Sequence, residues 1–174
     1  MTNDTPNESS IQLPLSRGYF TIIDPIDADL GEFKWSFLST GYAYKIIAKI
    51  NQKTVCYLLH RVILERVIER PLVKGEYVDH INRDKLDNRR SNLRIATATQ
   101  NSINKGRENG STSEHKGVCW DNTKKRWLAQ IGKQNKNYYI GVFKDEKQAA
   151  KAYDKRAKEL FGEFAYLNFP DELE

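Results

Sequence analysis

One segment, from Tyr77 to Arg94, constrains what this chain can fold into more than any other. It opens with β-favouring and aromatic residues, turns through a polar Asn-Arg-Asp-Lys run and becomes apolar again at Leu86, which predicts a hairpin. Successive side chains on a regular strand point to opposite faces. Asp79 and His80 can therefore share one site only if the strand ends, twists or bulges at 79–81.

The hairpin carries the residue types that a metal-dependent phosphodiesterase needs. A carboxylate and an amide oxygen can hold a hard divalent cation, and a neutral imidazole beside them can take a proton from water. Asp79 and His80 are followed by two candidate amides, Asn88 and Asn92. Arginine side chains around such a site would bind phosphate groups. The candidates are Arg83, Arg89, Arg90 and Arg94.

The whole pattern resembles the phage and intron-associated branch of the HNH nuclease family. The matching positions are Val78-Asp79-His80-Ile81-Asn82, Asp87-Asn88-Arg89 and Asn92-Leu93-Arg94. The resemblance implies a ββα-metal fold, with its core over 76–104, that cleaves DNA around one divalent ion per active site. It gives metal-ligand roles to Asp79 and Asn92, the general-base role to His80 and an orienting role to Asn88. Because many members have a histidine where Asn92 stands, an amide oxygen there favours Mg²⁺ or Mn²⁺.

The residues before the motif predict a disordered tail and a small antiparallel sheet. Residues 1–14 are polar, as in disordered segments. Alternating and aromatic segments between 18 and 58 predict the sheet, with an aromatic core that presents the nuclease module or serves only as scaffold. Trp35 and Tyr42 could face nucleic acid, but burial in the core is favoured.

Residues 58–69 predict a helix, with apolar side chains at 59, 62, 63 and 67 on one face. Its first turn matches a helix start common in the family. His60 and Arg61 could therefore line the site, or His60 could satisfy a polar partner in the core.

Two further pieces of local structure are expected around and after the motif. A helix is expected to start near Arg89 or Asn92, with Asn88 or Ser91 as its cap. Residues 97–104 predict another helical or irregular turn.

A polar segment with two glycines, 105–113, predicts a linker between an HNH domain over 15–104 and a second domain over 114–170. The linker could follow a DNA groove or serve as a passive tether. In the second domain, Trp127, Ala129 and Ile131 share the strand face that suits a helix, which leaves the opposite face open, polar and basic. A sheet this narrow can enter a major groove. The predicted strands cover 116–120, 126–131 and 137–143, and the predicted helix covers 145–160.

This second domain resembles the APETALA2-type (ethylene-response-factor) DNA-binding domain over 115–170. The matches include Lys116-Gly117-Val118, Ala149-Ala150-Lys151-Ala152-Tyr153-Asp154 and Leu167-Asn168-Phe169-Pro170. The resemblance implies that the exposed sheet face reads double-stranded DNA. The readers carried over are Lys116, Arg126, Gln130, Asn137 and Tyr139.

The sheet departs from the plant members of that family in ways that bear on base preference. Cys119 and Gly132 stand where those members usually have arginines, and Tyr139 replaces their tryptophan. The plant base preference therefore does not transfer to this chain. Trp120 either stacks on a sugar or packs in the core.

Charge and composition narrow the partners. Residues 1–70 carry eight basic and eight acidic residues, whereas 71–112 carry eight against five, within a net charge of +5. An excess that begins with the motif is expected of a phosphate-binding protein, although the same charge would also keep a protein soluble. No apolar run has the length of a membrane span, the N-terminus lacks a signal-peptide layout, and the two cysteines form no Cys-x-x-Cys pair. We therefore expect a cytoplasmic protein without a membrane partner.

These patterns predict an α+β protein. It has a small antiparallel sheet with a ββα-metal nuclease module, followed by a three-stranded antiparallel sheet packed on one helix. The expected function is a metal-dependent DNA endonuclease of the phage or mobile-element homing type, acting as a monomer without a small-molecule cofactor. The alternatives are a DNA-binding regulator with an inactive nuclease fold and a protein that binds or cleaves RNA.

Overall fold

The computed structural model describes residues 10–51, 53–107, 110–134 and 136–172. Its contacts divide the chain into one compact unit up to Ala98 and a second from Thr99 onward. Residues 99–104, which the sequence assigned to the HNH domain, thus belong by their contacts to the second unit. Within the described ranges, no helix combines the length and apolar character needed to span a bilayer.

The first unit begins with two small antiparallel sheets instead of the predicted single one. Strands β1 (Ile11–Pro14) and β2 (Phe20–Ile23) form one, and β3 (Ser36–Phe37), β4 (Ala43–Ile50) and β5 (Lys53–Leu58) form the other in the order β3-β4-β5. The prediction of disorder to residue 14 was wrong from Ile11 onward; residues 1–9 of the predicted tail lie outside the described residues. Burial of the Leu13 side chain, 5% exposed, explains the error, because this apolar contact offsets the polar composition.

The core of the first unit is mostly aliphatic, not aromatic as predicted. Ile23, Leu59 and Ile63 are fully buried, and Trp35 joins them at 4% exposure. The Trp35 indole donates to the carbonyl of Leu30 at 2.8 Å, which satisfies its polar atom in the core. The predicted helix is present as α1 (Leu59–Val67).

The motif folds as an antiparallel hairpin of β6 (Tyr77–His80) and β7 (Leu93–Ala96), followed by α2 (Ala98–Ile103). The expected helix near Arg89 or Asn92 was wrong. Residues 90–92 form only a single 3-10 turn, and β7 follows because its backbone pairs with β6 along its whole length. The expected irregularity at 79–81 takes the form of a strand end at His80.

The second unit has the predicted three strands and one helix: β8 (Val118–Asp121), β9 (Arg126–Lys133), β10 (Lys136–Phe143) and α3 (Glu146–Phe161), with sheet order β10-β9-β8. The predicted inner face is confirmed, since Ala129 packs with the α3 alanines and Ile131 packs with Tyr153. Small side chains at Ala149 and Ala150 allow the helix to lie close to the sheet.

Candidate functional site

His80 lies at the end of β6 with its imidazole buried against a fixed partner. The residue is 5% exposed, and its Nε2 lies 3.2 Å from Oδ1 of Asn88. Burial lowers the pKa of His80, and the hydrogen bond with Asn88 only partly opposes this shift. The ring is therefore neutral at pH 7, as a group that accepts a proton from water must be.

Asp79 is a buried carboxylate, 4% exposed, on the same strand end. Its Oδ2 accepts hydrogen bonds from Nε and Nη2 of Arg94 at 2.9 and 2.7 Å. Burial raises the pKa of Tyr42, and the nearby charge of Asp79 raises it further. The Tyr42 ring also lies 6.0 Å from the His80 ring, which gathers the carboxylate, the phenol and the imidazole into one cluster.

Asn92 uses both ends of its amide inside the hairpin loop. Its Oδ1 accepts from the backbone N–H of Asn82 at 2.9 Å, and its Nδ2 donates to Oδ1 of Asn82 and to the carbonyl of Asp87 at 2.9 and 2.7 Å. These bonds close the loop between β6 and β7. They give Asn92 a structural use that the sequence pattern did not predict.

His60, predicted to line the site, is the edge partner of the His80 ring. The two ring centroids are 5.3 Å apart with the planes at 84°, and Tyr42 packs against His60 at 4.8 Å. Burial, followed by the nearby positive charges, lowers the pKa of His60 to about 3. Its Nδ1 is buried and makes no hydrogen bond with the described residues. The predicted alternative, a histidine satisfied in the core, therefore does not hold at Nδ1.

Arg61, the other predicted lining residue, points to a structural partner. Its Nε pairs with Oε1 of Glu65 at 2.9 Å, one helical turn away, and its Nη2 donates to the carbonyl of Leu72 at 3.1 Å. These contacts tie α1 to the chain that follows it.

Four arginines were expected to hold phosphate. Arg89, Arg90 and Arg94 each form an ion pair within the first unit. Arg89 pairs with Asp87 at 2.6 Å, and its N–H groups lower the pKa of that carboxyl. Arg90 makes a two-bond contact with the fully buried Asp27, at 2.7 and 2.9 Å. Arg94 pairs with Asp79, as described above. The fourth, Arg83, is exposed in the turn.

The metal-ligand donors at this site suit a hard divalent ion whose ligands come mainly from water and substrate. Among the described residues, no group of three or more His, Cys, Asp or Glu side chains could enclose a metal. Asp79 nevertheless supplies a buried carboxylate oxygen, the donor that Mg²⁺ and Mn²⁺ prefer. Mg²⁺ sites commonly combine one or two carboxylates with water and substrate phosphates. The residues present fit such a site.

The second unit presents most of its predicted readers on one sheet face. Gln130 pairs with Tyr139 across β9 and β10, and Asn137 pairs with Gly132. Alternation along β9 puts Arg126 on the face of Gln130, opposite the buried Ala129. Tyr139 is 64% exposed, as a contact residue requires.

Lys116, the remaining predicted reader, is bound elsewhere. Its Nζ donates to the carbonyls of Ile103 and Lys105 at 2.6 and 2.5 Å. It lines a groove of about 1300 Å³ within the second unit, together with Gln130 and Asn137. No described residue of the groove lining is acidic, and the basic ones are Lys105, Arg107, Lys116, Lys133 and Lys136. The sign of this charge suits a polyanion.

Trp120 packs against protein. Its ring lies 5.0 Å from that of Trp127 in an edge contact, and the two residues are paired across β8 and β9. Trp127 in turn packs on the core of the second unit. Trp120 therefore belongs to the helix-side face.

Known proteins are similar in sequence to each of the two units of the chain. A family profile described as HNH endonuclease matches residues 57–103, which contain the hairpin and the His80 site. An uncharacterized HNH endonuclease of Acanthamoeba polyphaga mimivirus is 36% identical over 140 residues, which cover 80% of this chain and 68% of the viral protein. The chain belongs to the HNH endonuclease family. Protein 3.8 of Escherichia phage T7 is 32% identical to the present chain over 95 residues, which cover 55% of the chain and 78% of the phage protein.

The second unit of this HNH family member carries an AP2 domain, matched over residues 113–163. Dehydration-responsive element-binding protein 2D of Arabidopsis thaliana is 35% identical over 71 residues, which cover 40% of this chain and 34% of the plant protein. No solved structure is significantly similar to the chain. Both family resemblances drawn from the sequence are confirmed.

Sequence reasoning missed the residues that hold the site from a distance. The backbone N–H of Arg90 donates to Asp24 at 2.6 Å, and its side chain binds Asp27. Thr21 contacts Asn88 through its hydroxyl. These partners lie more than 60 residues before the motif residues that they contact, and no local pattern marks them. Asn82, by contrast, lies inside the quoted motif and could have been suspected.

Proposed function

We propose that this chain is a metal-dependent DNA endonuclease of the phage or mobile-element homing type. It hydrolyses phosphodiester bonds, and its AP2 domain supplies target preference. The observation that carries the proposal is the buried neutral imidazole of His80, bonded to Asn88 and next to the Asp79 carboxylate. The viral and phage origin of its relatives supports the biological setting, the cytoplasm of an infected cell, where we propose that it acts as a monomer.

His80 takes the proton of the attacking water. Its pKa, lowered by burial, leaves the ring uncharged at neutral pH and ready to accept. Asn88 holds the ring through Nε2, and the edge of His60 packs beside it. The ring therefore meets the water in one orientation, which reduces the entropy lost on reaching the transition state.

One Mg²⁺ or Mn²⁺ ion would be held by the carboxylate of Asp79, with DNA phosphate oxygens and water completing its shell. When bound, the ion stabilises the charge that develops on the phosphate and on the leaving oxygen. We assign Asn92 to the loop instead of the metal, because three hydrogen bonds with Asn82 and Asp87 fix its amide inside the hairpin loop. Arg94 holds the Asp79 carboxylate in position.

DNA is gripped by the second domain and by exposed basic groups. The open sheet face contacts the duplex through Arg126, Gln130, Asn137 and Tyr139. The groove, whose described lining residues include no acidic side chain, attracts the phosphate backbone of the DNA. Arg83 remains our candidate for a phosphate near the cleavage site, whereas Arg89, Arg90 and Arg94 order the loop through their ion pairs. Linking a weakly active nuclease domain to a DNA-binding domain raises the effective concentration of the nuclease at preferred sequences.

The test is cleavage of supercoiled plasmid DNA by the full chain in Mg²⁺ or Mn²⁺. We expect His80→Ala to lose at least ~10²-fold in rate because the general base is gone. DNA binding by His80→Ala, measured in parallel, should match that of the wild type. Thermal unfolding of the same variant should show that it is folded. A wild type that never breaks DNA with either ion would sink the proposal.

The second candidate is a DNA-binding regulator with an inactive nuclease fold. One observation favours it: the carboxylate of Asp79 already has a cationic partner, Arg94, which would compete with a metal ion. A wild type that binds a defined sequence tightly but leaves it intact in both Mg²⁺ and Mn²⁺ would support the regulator. Competition between duplex DNA and RNA at matched salt tests the remaining alternative, an RNA-directed protein.

A further inference from the structure

Strand β2 contacts the loop between β6 and β7, although β2 precedes the segment that matches the HNH profile. The backbone N–H of Ile22 donates to the carbonyl of Leu86 at 2.8 Å, and the N–H of Asn88 donates to the carbonyl of Ile22 at 2.8 Å. Thr21, fully buried, adds its side chain to this junction. Its hydroxyl lies 2.7 Å from the Leu86 carbonyl and 2.7 Å from Nδ2 of Asn88.

The order of donors and acceptors in this chain of bonds has one consistent solution. A threonine hydroxyl has a single proton, and the Leu86 carbonyl can only accept it. The Thr21 oxygen must then accept from Asn88, which turns the Nδ2 end of that amide toward β2. The Oδ1 end of Asn88 consequently faces the His80 ring, where it can only accept.

We infer that Thr21 is a positioning residue that fixes which ring nitrogen of His80 carries the proton. Through Asn88, it requires an N–H at Nε2 of His80 and leaves the lone pair on Nδ1. Only a nitrogen with a lone pair can take a proton from water. Thr21, which lies 67 residues before Asn88, therefore determines whether the imidazole of His80 can act as a base at Nδ1.

This inference rests on the proposed function for its catalytic consequence, but its chemical content is the tautomer of one histidine. Thr21→Val keeps the shape of the side chain and removes the hydroxyl. The Asn88 amide then loses its acceptor at β2 and can turn its Nδ2 toward the ring. An N–H pointing at Nε2 stabilises the opposite tautomer, in which Nδ1 holds the proton.

The experiment is ¹⁵N NMR of the full chain with labelled histidine, at neutral pH where the His80 ring is uncharged. Long-range ¹H–¹⁵N couplings distinguish a nitrogen that carries a proton from one with a lone pair. We expect Nε2–H in the wild type and in Thr21→Ser, and a shift toward Nδ1–H in Thr21→Val. A merely structural threonine would change the melting temperature without changing this signature.

Plasmid cleavage is measured on the same proteins. We expect Thr21→Val to lose roughly ten- to hundredfold in kcat with DNA binding unchanged, and Thr21→Ser to recover it. The control is Thr54→Val, an exposed threonine on β5, which should leave both tautomer and rate as they are.

Two results would overturn the inference. One is a wild type with Nδ1–H at His80, which needs no variant and decides the matter even if Thr21→Val fails to fold. The other is a folded Thr21→Val protein with the wild-type tautomer. A wild type that never cleaves DNA, yet shows the expected response of the His80 ring to Thr21→Val, supports the role of Thr21 while removing the nuclease proposal.

Discussion

Asn92 illustrates how a side chain of the family pattern can also have a structural use. Its amide closes the hairpin loop through Asn82 and Asp87. Asn92→Asp keeps an oxygen for a cation but removes both donated hydrogen bonds and turns a carboxylate toward two acceptors. We expect the free energy of unfolding in urea to fall by about 2–4 kcal/mol, with no gain in Mn²⁺ affinity by calorimetry.

The matched control for that change is Asn122→Asp, the same substitution at an exposed turn residue. It should alter the free energy of unfolding by less than ~0.5 kcal/mol. A stable Asn92→Asp protein that binds Mn²⁺ more tightly would return Asn92 to the ligand role predicted from the sequence.

His60 makes the fold sensitive to acid. Its pKa in the folded protein is about 3, against 6.5 for an exposed histidine, because burial disfavours the charged ring. Above pH 6.5 the ring is neutral in both states and has no effect. Between these two values the unfolded chain binds one proton more than the folded chain, so the free energy of unfolding decreases as the pH falls, by at most ~5 kcal/mol.

His60→Phe keeps a buried ring and removes this titration. We expect the loss of stability between pH 6.5 and pH 3 to become smaller than in the wild type, as measured by urea unfolding at a series of pH values. His80, whose pKa is also lowered by burial, accounts for part of the remaining loss. An identical pH dependence in both proteins would show that His60 is not the cause.

Among the elements, the sheet of the second unit depends on one glycine. Gly117 has a φ of +75°, and a Cβ there would collide with the Tyr153 ring and lie 2.7 Å from the carbonyl oxygen of Gln130. That carbonyl belongs to β9, and Tyr153 belongs to the core under it. Gly117→Ala should therefore force β8 and α3 apart and lower the stability of the unit by about 3–5 kcal/mol, measured by urea denaturation.

Gly110→Ala separates the two causes of that loss. Gly110 has a similar φ of +86°, but no atom of the described part of the chain lies within 4 Å of a Cβ placed there. Its substitution should cost only the strain of a left-handed alanine, about 1–2 kcal/mol. Equal losses for the two variants would mean that the contact with Tyr153 is unimportant.

The elements that the sequence predicted correctly are those whose pattern is complete within a short window. β9 places the buried Ala129 and Ile131 on one face, and α3 has its alanine face and an Asp145 cap that accepts from Gln148, so both could be predicted locally. β7 could not, because a segment this short takes its conformation from pairing with β6.

The same limit explains which parts of the candidate site were predicted. Asp79, His80 and Asn88 became candidates because they lie in one motif, and the structure places Asp79 and His80 at the end of β6 with Asn88 bonded to His80. Thr21 and Asp27 could not be found, because they act across more than 60 residues of intervening chain. Hydrogen bonds at such separations leave no periodicity in the sequence.

In the proposed function, the first unit carries out the chemistry and the second unit supplies target preference. Tyr139 lies on the open face of the second unit, whereas Tyr138 pairs with the inward-facing Ile131 and is itself 43% exposed. We expect Tyr139→Ala to weaken binding to a preferred DNA sequence by about 1–3 kcal/mol, and Tyr138→Ala to weaken it much less. Both should cleave non-preferred plasmid at the wild-type rate; a matching loss of cleavage in Tyr139→Ala would contradict the separation.

We expect the groove to contribute to the affinity for duplex DNA in a way that depends on salt concentration and not on DNA sequence. Lys133 and Lys136 lie in a lining whose described residues include no carboxylate. Each phosphate contact that such a lysine makes would release a counterion from DNA. We expect the double variant Lys133→Ala/Lys136→Ala to bind all duplexes more weakly and to reduce the slope of log affinity against log salt by about 2. Lys155→Ala/Lys158→Ala, a double change of equal charge on the exposed side of α3, serves as the control. If both double variants change the slope equally, net charge and not the groove governs the attraction to DNA.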